Sequence, residues 1–260
     1  MVFVVLPAFN EQPSIVAVLR ELEAAMRHAA LDYRVILVND GSTDRTEALV
    51  LGLAGELPLV YLKHAANAGL GRAVGTGFSK ALELGAPGDV VVTMDADHTH
   101  APGLIPQLAE LARRGRDVVI ASRYHPGADL PGVPFLRRLL SRGAALLFRV
   151  FYPISGVRDY TSGYRAYRWE ALRRASSVYG PGFIASAGFS CMVEILLKLR
   201  PLDITAAECP ILLRYDAKRS ASKMKVASNI RDTLALLWKA RRWSGRGAAP
   251  GVSKPQSRAS

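Results

Sequence analysis

VVVTMDADHTH, residues 90–100, is the stretch that decides the fold of this chain. Its first half, residues 90–94, is a nearly continuous apolar run, which is typical of a strand buried on both faces of a parallel sheet. Asp95 and Asp97 follow, one residue apart. Ligands of open α/β sheets bind outside the carboxyl ends of the strands, and two carboxylates there repel each other unless a cation lies between them. The stretch therefore predicts an oxygen-bound divalent cation that carries a substrate phosphate.

Short apolar strands and amphipathic helices alternate on both sides of this stretch. Up to residue 123 the apolar spacing predicts strands at residues 2–6, 33–38, 59–63, 89–95 and 117–123, and helices at 14–28, from about 70 onward, and at 102–114. Elements that alternate in this way form βαβ units. We therefore expect an α/β fold with a doubly wound, mostly parallel sheet.

The pattern changes after residue 123. It predicts, in order, an apolar stretch with arginines at 135–152, a short strand or turn at 161–168, a helix at 189–200, a strand at 204–215 and a basic amphipathic helix at 223–243. The remaining residues have the composition of a disordered tail. We therefore expect three parts: a globular domain over residues 1–222, the basic helix over 223–243 and the tail over 244–260.

The charge of the chain is divided unevenly between its two halves. The net charge is +12 over 260 residues, but residues 1–112 carry 7 Lys and Arg against 13 Asp and Glu, whereas residues 113–260 carry 27 against 9. Nothing in the sequence resembles a nucleic-acid-binding module, so we expect no nucleic-acid partner. The basic half better fits the anionic phosphates of small molecules or lipids.

Cysteine spacing and hydropathy bear on the compartment. The two cysteines, Cys191 and Cys209, have no C-x-x-C spacing, which argues against a disulfide framework or a structural zinc site and suits a reducing cytoplasm. No basic leader precedes the first strand, and no apolar run reaches the roughly 18 residues that span a bilayer. If the protein works at a membrane, we expect it to be cytoplasmic and peripherally attached.

Seven motifs in a fixed order carry a family resemblance. They are LPAFNE (6–11), VNDGSTD (38–44), NAGLGRAVGTG (67–77), MDADHTH (94–100), ASRY (121–124), DYTSGYRAYR (159–168) and SKMK (222–225). Together, over about residues 1–225, they resemble the family 2 glycosyltransferases of the GT-A fold. The most similar subgroup is the polyprenyl-phosphate sugar transferases, which include the dolichyl-phosphate mannose synthases. The resemblance implies that residues 1–222 are a GT-A catalytic domain with a nucleotide-sugar site at the strand carboxyl ends.

The resemblance also assigns the donor site. Pro7, Phe9 and Glu11 match the loop that contacts the base and ribose of the nucleotide, and Asp40 matches the second acid of an acidic pair. Asn39 stands where the family has the first acid. An amide can accept and donate hydrogen bonds but removes a charge, so the base preference of the donor stays open.

The metal loop and the diphosphate contacts follow in the same way. Asp95, Asp97 and Thr99 match positions that hold Mg²⁺ or Mn²⁺, and a bound metal neutralises the charge of a departing diphosphate. His100 also matches a family position, for which we expect a structural or supporting role. The candidates for a basic contact to the diphosphate are Arg214, Lys218, Arg219 and Lys223.

On the acceptor side, Arg123, Arg137 and Ser141 match residues that bind the acceptor's phosphate in the resembled subgroup. Arg137 and Ser141 are four residues apart and share one face of a helix. A phosphate acceptor is already ionised at neutral pH, whereas a hydroxyl acceptor needs a general base to take its proton. This set of residues therefore favours a phosphate over a hydroxyl.

These features predict an enzyme that transfers a hexose, with inversion and with a metal, from a nucleotide sugar to a polyprenyl phosphate. Mannose from GDP-mannose is the first expectation. The alternatives are glucose from UDP-glucose, a hydroxyl acceptor on a glycan, and a binding module without activity, although the intact pair of acids disfavours the last.

Contact with a membrane surface is expected from two segments. Residues 135–151 mix Leu and Phe with Arg138, Arg142 and Arg149, and residues 223–243 combine an apolar stripe with basic residues. A helix of this kind can lie in an anionic interface. The alternatives are that the stripe packs on the protein's own core or on a membrane-spanning partner protein.

Overall fold

The computed structural model describes residues 1–130, 135–213 and 226–243. Seven strands form one sheet: β1 (Val2–Ala8), β2 (Tyr33–Asn39), β3 (Leu59–Lys63), β4 (Val90–Thr93), β5 (Val118–Ser122), β6 (Arg165–Arg168) and β7 (Ala206–Pro210). The strand order is β3-β2-β1-β4-β6-β5-β7. All neighbouring pairs are parallel except those of β6, which runs antiparallel to both β4 and β5.

Helices cover both faces of the sheet. They are α1 (Ile15–His28), α2 (Thr46–Leu51), α3 (Leu70–Leu84), α4 (Ile105–Arg113), α5 (Phe135–Phe151), α6 (Trp169–Tyr179), α7 (Cys191–Leu199) and α8 (Val226–Ala240). One apolar core lies between the sheet and α1, α2 and α4, and the other lies between the sheet and α3, α5, α6, α7 and α8. The predicted α/β fold with a doubly wound, mostly parallel sheet is confirmed.

The structure corrects several predicted boundaries. The fourth strand ends at Thr93 and not at residue 95, so Asp95 lies in the loop that follows. The strand expected at 204–215 covers only Ala206–Pro210, and the short strand expected at 161–168 covers only Arg165–Arg168. Helix α6 was not predicted, because only Ala171, Leu172 and Ala175 on it are buried and so small an apolar face gives a weak periodic signal.

The register of the sheet brings the ends of three strands together. Val5 of β1 pairs with Thr93 of β4, and Ala8 of β1 pairs with Asn39 of β2. The loops after β1, β2 and β4 therefore leave the sheet at the same edge, where ligands of open α/β sheets bind.

Helices α5 and α8 pack on the protein and also expose apolar residues. Ala145 and Phe148 of α5 and Leu236 and Ala240 of α8 are buried in the core. On their outer sides, α5 exposes Leu146, Leu147, Val150 and Phe151, and α8 exposes Trp238. Among the residues that the structure covers, no helix combines the length and the apolar character needed to cross a bilayer. Residues 223–225 and 244–260 lie outside the described ranges, so the predicted limits of the basic helix and the tail stay predictions.

Both cysteines are free and buried, as the absence of a paired spacing predicts. Burial raises the pKa of Cys191 to about 12 and that of Cys209 to about 11. Both thiols are therefore protonated at neutral pH and poor nucleophiles.

The start of α3 is packed too closely for a side chain at Gly69 or Gly71. Gly69 has a φ of 92°, in the region that favours glycine, and Gly71 donates its N–H to the carbonyl oxygen of Ala187 at 2.8 Å. A β carbon on Gly71 would overlap the carbonyl oxygen of Ser186. The glycines of this segment therefore allow the 186–187 backbone to lie directly on the helix.

We predict that Gly71→Ala lowers the free energy of unfolding by about 1–3 kcal/mol, because the backbone of residue 186 must move away. Gly75, one turn further along α3, has no heavy atom within 4 Å of an added β carbon. Gly75→Ala is therefore the matched control, and alanine's helix preference should make it neutral or stabilising by up to about 1 kcal/mol. Urea denaturation of both variants measures the difference; equal losses would contradict the packing described.

Candidate active site

Two loops at the carboxyl edge of the sheet are joined by hydrogen bonds. Residues 9–12 follow β1, and residues 42–46 follow β2. Side chains of the second loop accept hydrogen bonds from the backbone of the first at 2.8–3.1 Å: Ser42 Oγ from the N–H of Asn10, Thr46 Oγ1 from that of Glu11 and Asp44 Oδ2 from that of Gln12. The predicted donor residues Pro7 and Phe9 are half-buried in this unit, and Glu11 is buried. The loop pair thus forms one rigid wall of the site.

Asn39 and Asp40, at the end of β2, make their hydrogen bonds inside the protein. Asn39 is fully buried, donates from Nδ2 to the Tyr61 hydroxyl (2.8 Å) and accepts at Oδ1 from the N–H of Ser42 (2.9 Å). An amide thus supplies both a donor and an acceptor where a carboxylate could only accept. Asn39 therefore fixes the shape of the 42–46 loop, and its predicted contact with the nucleotide stays a prediction.

Asp40 binds the backbone just before α3 and contacts a histidine that the sequence did not indicate. Its carboxylate accepts the N–H groups of Ala68 (2.9 Å) and Gly69 (2.8 Å) and lies 2.6 Å from His64 Nδ1. His64 Nε2 in turn lies 3.0 Å from Thr76 Oγ1 on α3. Asp40 thus fixes the segment that leads into α3, and its predicted role in binding the nucleotide is not tested by these contacts.

The loop after β4 holds its two acids in fixed positions. The Thr99 hydroxyl donates to Asp97 Oδ1 at 2.6 Å, and the Thr99 N–H points at the same oxygen at 3.1 Å. His100 Nδ1 accepts the N–H of Asp95 at 3.0 Å, which leaves Nε2 to carry the proton of a neutral ring, 3.8 Å from Asp95 Oδ2. The ring stacks on Tyr164 with centroids 4.9 Å apart. His100 thus supports the loop from behind, as expected.

The donor atoms of this loop suit a hard divalent cation. Asp95 and Asp97 are partly exposed and offer only oxygen, which Mg²⁺ and Mn²⁺ prefer. Among residues 1–130, 135–213 and 226–243, no group of three His, Cys, Asp or Glu side chains forms a ready metal site. An ion bound at Asp95 and Asp97 would therefore complete its shell with substrate phosphate oxygens and water, as Mg²⁺ commonly does.

Arg123, at the end of β5, is held by a buried carboxylate. Its Nε donates to Asp159 Oδ2 at 2.8 Å and its Nη2 to Oδ1 at 2.6 Å, and Nη2 also donates to the Thr161 hydroxyl. Asp159 is completely buried and also accepts the N–H groups of Arg123, Thr161 and Ser162. This bidentate pair fixes the plane and direction of the guanidinium.

The pair changes the ionisation of both partners. Burial alone would raise the pKa of Asp159, but the charge and hydrogen bonds of Arg123 outweigh it and hold that pKa below its usual value. Burial alone would lower the pKa of Arg123, but Asp159 raises it above its usual value, and Asp95 adds to the rise. Because β4 and β5 both run antiparallel to β6, the loop with Asp95 and the Arg123 that follows β5 leave the sheet at the same edge.

The other predicted acceptor and diphosphate residues lie wholly or partly outside the described residues. Arg137 and Ser141 lie on α5, as predicted, and their side chains are outside the described part of the structure. Arg214, Lys218, Arg219 and Lys223 fall in the segment between residues 213 and 226, which is also outside it. Their roles stay predictions.

The sequence assigned no role to two charged residues of the DYTSGYRAYR motif, Asp159 and Arg165. Asp159 lies 36 positions from Arg123 in the sequence, so no local pattern pairs them. Arg165 is completely buried on β6 and donates to the carbonyl oxygens of Met192 (2.6 Å) and Tyr160 (2.8 Å). It pairs with Thr93, two residues before Asp95, so this buried cation lies beneath the metal loop. Both belong to a motif with three tyrosines, but no local pattern in it shows that these two charges are buried.

Comparison with known proteins identifies the family. Residues 3–175 match the family model for glycosyl transferase family 2. The chain belongs to this family. It is thus a glycosyltransferase, and the expectation from the seven motifs is confirmed.

Three relatives are similar over most of the chain. They are a dolichol-phosphate mannosyltransferase of Pyrococcus furiosus (31% identical), a polyprenol monophosphomannose synthase of Mycolicibacterium smegmatis (31%) and an undecaprenyl-phosphate mannosyltransferase of Micrococcus luteus (33%). The alignments cover 94%, 94% and 88% of this chain. They cover 64% of the Pyrococcus protein, which is longer, and 87% and 88% of the other two.

Solved glycosyltransferases share the fold. A glucosyl-3-phosphoglycerate synthase from Mycobacterium tuberculosis, solved with Mn²⁺, uridine diphosphate and phosphoglyceric acid, superposes with a TM-score of 0.64 over 96% of this chain and 80% of its own. A second structure of that enzyme, with Mg²⁺ and uridine diphosphate, also gives 0.64, over 92% of this chain and 79% of its own. At 19% and 20% identity these matches establish the GT-A fold.

We predict that Asp159→Asn lowers the free energy of unfolding at neutral pH by about 3 kcal/mol, because it leaves the Arg123 guanidinium without its counter-charge. The lowered pKa of Asp159 means that its contribution is complete above the usual Asp value of about 4 and is lost as the pH falls through the lower, folded-state value. The difference between wild type and variant should therefore shrink in acid.

Urea denaturation at about pH 7 and about pH 3 tests this, on either side of the usual Asp pKa. Asp203→Asn is the control, because Asp203 is exposed and asparagine tolerates its positive φ of 54°. A stability difference for Asp159→Asn that is absent, or that does not change with pH, would contradict the ion pair.

Proposed function

We propose that this enzyme transfers a hexose, with inversion, from a nucleotide sugar to a polyprenyl phosphate, and that the donor is GDP-mannose. The observation that carries the proposal is the fixed guanidinium of Arg123 at the same edge of the sheet as the acidic loop, in a chain whose three relatives described above are named for polyprenyl-type phosphates and mannose. A cation on one side and paired acids on the other suit a reaction between two anionic substrates.

The donor is proposed to lie against the joined 9–12 and 42–46 loops, with its diphosphate over Asp95 and Asp97. A divalent ion bound there neutralises the charge of the departing nucleoside diphosphate. Thr99 and His100 keep the two acids in place, so little reorganisation is needed when the donor enters. Basic residues of the 214–223 segment are proposed to cover the diphosphate.

The acceptor's phosphate oxygen is proposed to attack the anomeric carbon of the hexose from the face opposite the diphosphate. The new carbon–oxygen bond forms as the bond to the diphosphate breaks, which inverts the anomeric configuration. No proton is transferred, because the attacking phosphate is already ionised. The protein has to align the two reactants, and such alignment is worth up to about 7–11 kcal/mol of a barrier.

The state of the buried carboxylates favours a phosphate acceptor over a hydroxyl. Glu194, on α7 near this edge, is 1% exposed and receives Lys198 at one oxygen and two backbone N–H groups at the other. Asp159 is likewise occupied by Arg123. A general base must reach the proton that it removes, and neither carboxylate can. Glu194 and Asp159 are therefore excluded as the general base that transfer to a glycan hydroxyl, the weaker alternative, would need.

Charge balance assigns different roles to the acceptor residues. Two unit charges about 4 Å apart repel by roughly 4 kcal/mol at an effective dielectric of 20. Asp159 neutralises Arg123 in net charge, so Arg123 contributes a directed hydrogen-bond donor. The net positive charge beside the acceptor's phosphate is then proposed to come from Arg137, and that over the diphosphate from the bound metal and the basic 214–223 segment. Ser141 is proposed to donate a further hydrogen bond to the acceptor's phosphate.

UDP-glucose is the alternative donor. Asn39 stands where the family has an acid, and its amide is hydrogen-bonded to Tyr61 and Ser42 inside the protein. The residue expected to select the nucleotide base therefore differs from the family pattern. Assaying GDP-mannose and UDP-glucose in separate reactions distinguishes the two donors.

Peripheral attachment to the cytoplasmic side of a membrane is proposed to bring the enzyme to its lipid. The exposed fractions of Val150, Phe151 and Trp238 are 66%, 60% and 72%, and Arg149, Lys239, Arg241 and Arg242 are exposed close to them in sequence. Apolar and basic side chains together favour an anionic lipid surface, to which each basic residue adds about 1 kcal/mol. Attachment through a membrane-spanning partner protein is the alternative.

Metal dependence is tested at two neighbouring residues. Asp97→Ala should abolish transfer without unfolding the protein, because it removes a ligand of the ion. Thr99→Val should raise the Mn²⁺ concentration for half-maximal activity by about 10-fold, the usual effect of losing a residue that orients a ligand. Thr99→Ser keeps the hydroxyl and is the control. Full activity of Asp97→Ala, or of wild type in excess chelator, would exclude this metal role.

The acceptor assignment predicts a selective loss. Arg137→Ala and Ser141→Ala should raise the KM for polyprenyl phosphate by about 10-fold or more, because each removes a hydrogen bond to a charged group, while the Kd for the nucleotide changes little. Arg116→Ala removes the same charge from an exposed position before β5, at the opposite edge of the sheet, and serves as the control. Parallel losses in nucleotide binding and acceptor use would overturn the assignment.

A further inference from the structure

A buried ion pair on α7 links two distant parts of the enzyme. Glu194 and Lys198 lie one turn apart, and their exposed fractions are only 1% and 3%. Lys198 Nζ donates to Glu194 Oε1 and to the carbonyl oxygens of Gly182 and Phe183. A buried charge is tolerated only when it is paired and hydrogen-bonded. Besides their mutual ion pair, Glu194 and Lys198 contact the donor side of the site and helix α8.

The first branch of the pair leads to the donor side. Glu194 Oε2 accepts the N–H groups of Ala185 (3.1 Å) and Ser186 (2.7 Å). The next residue, Ala187, accepts the N–H of Gly71 at the start of α3. Asp40 accepts the N–H groups of Ala68 and Gly69, which directly precede the same helix. The ion pair thus fixes the 182–187 backbone against the helix that borders the donor loops.

The second branch leads to α8. The ring of Trp243 lies over Lys198, with its centroid 4.6 Å from Nζ, and the N–H of Trp243 donates to the Ala240 carbonyl at 3.0 Å. Trp238, on the same helix, is 72% exposed. One tryptophan of this region therefore faces solvent, and the other holds the end of the helix on a buried cation.

Apolar packing alone does not hold this end of the helix. A cavity of about 290 Å³ lies between the 182–186 backbone, α7 and the end of α8, and Lys198 and Trp243 both line it. Contact between the tryptophan ring and the ammonium therefore adds to the burial of Leu236 and Ala240 and to the hydrogen bond from the Tyr152 hydroxyl to the Leu237 carbonyl in holding α8 at this point. A desolvated cation–π contact changes an equilibrium by roughly tenfold or more.

We propose that Lys198 is a positioning residue that couples the lipid-facing helix α8 to the donor side of the active site. The inference rests on the proposed function, because it concerns how a lipid acceptor in a membrane is presented to the donor. Trp243 carries the coupling on the helix side.

The test separates binding to the membrane from coupling to the donor site. Lys198 itself is a poor target, because its removal leaves Glu194 buried without a partner, so the helix side is changed instead. Trp243→Ala removes the ring, Trp243→Phe keeps an aromatic face, and Trp238→Ala is the matched control on the exposed side. Each is assayed with undecaprenyl phosphate in anionic vesicles and with water-soluble geranyl phosphate, with GDP-mannose and UDP-glucose both supplied.

Trp243→Ala should raise the KM for undecaprenyl phosphate in vesicles by about tenfold, with vesicle binding and turnover on geranyl phosphate within about twofold of wild type. Trp243→Phe should recover most of the loss. Trp238→Ala should weaken vesicle binding and regain full turnover at saturating vesicles. These results would support the coupling.

The inference is overturned if Trp243→Ala matches wild type in vesicles, or if it loses activity equally on both acceptors. The proposed function would survive either result, because wild type would still transfer sugar to the lipid. If wild type transfers sugar to neither phosphate, the proposed function fails and the inference fails with it.

Discussion

The buried pair of Arg123 and Asp159 is the interaction on which the proposed acceptor side of this glycosyltransferase depends. The strand order places β6 between β4 and β5, so the metal loop after β4 and the arginine after β5 face the same edge. Asp159 precedes β6 and fixes the guanidinium from the core side. Without that carboxylate, a cation at this depth would be costly and its direction undefined. The antiparallel insertion of β6 is therefore what brings the acid and the arginine together.

A second buried pair, Glu194 with Lys198, does the same for the other side of the site. It positions the 182–187 backbone on α3 and receives the end of α8 through Trp243. In both places a buried carboxylate fixes the position of a neighbouring group: Asp159 fixes the Arg123 guanidinium, and Glu194 fixes the 182–187 backbone. This arrangement suits a reaction in which the protein's task is to align two anions without moving a proton.

The sequence predicted the first five strands because each is a short apolar run of a parallel sheet. It also predicted that the loop after the fourth strand binds a metal, because two acids follow that strand, and this stays a prediction. It did not predict α6, whose buried face is small, or the antiparallel direction of β6, which depends on contacts and not on composition. Asp159 and His64 have side-chain partners 36 and 24 positions away, so no local spacing reveals them. Glu194 and Lys198 have the i, i+4 spacing of a helical ion pair, but their burial depends on tertiary contacts that the spacing does not show. The family motifs indicated Asn39 and Asp40 as donor residues, whereas the structure adds that both are bonded within the protein.

The product of wild-type transfer tests the central claim most directly. Sugar-labelled GDP-mannose and UDP-glucose would each be incubated with Mg²⁺ and either undecaprenyl phosphate or undecaprenol, and the labelled lipid would be extracted and its anomeric configuration determined. The account predicts labelled lipid from GDP-mannose and the phosphate alone, lost in chelator, with the anomer opposite to that of the donor. Label on the free alcohol, or retention of configuration, would contradict it.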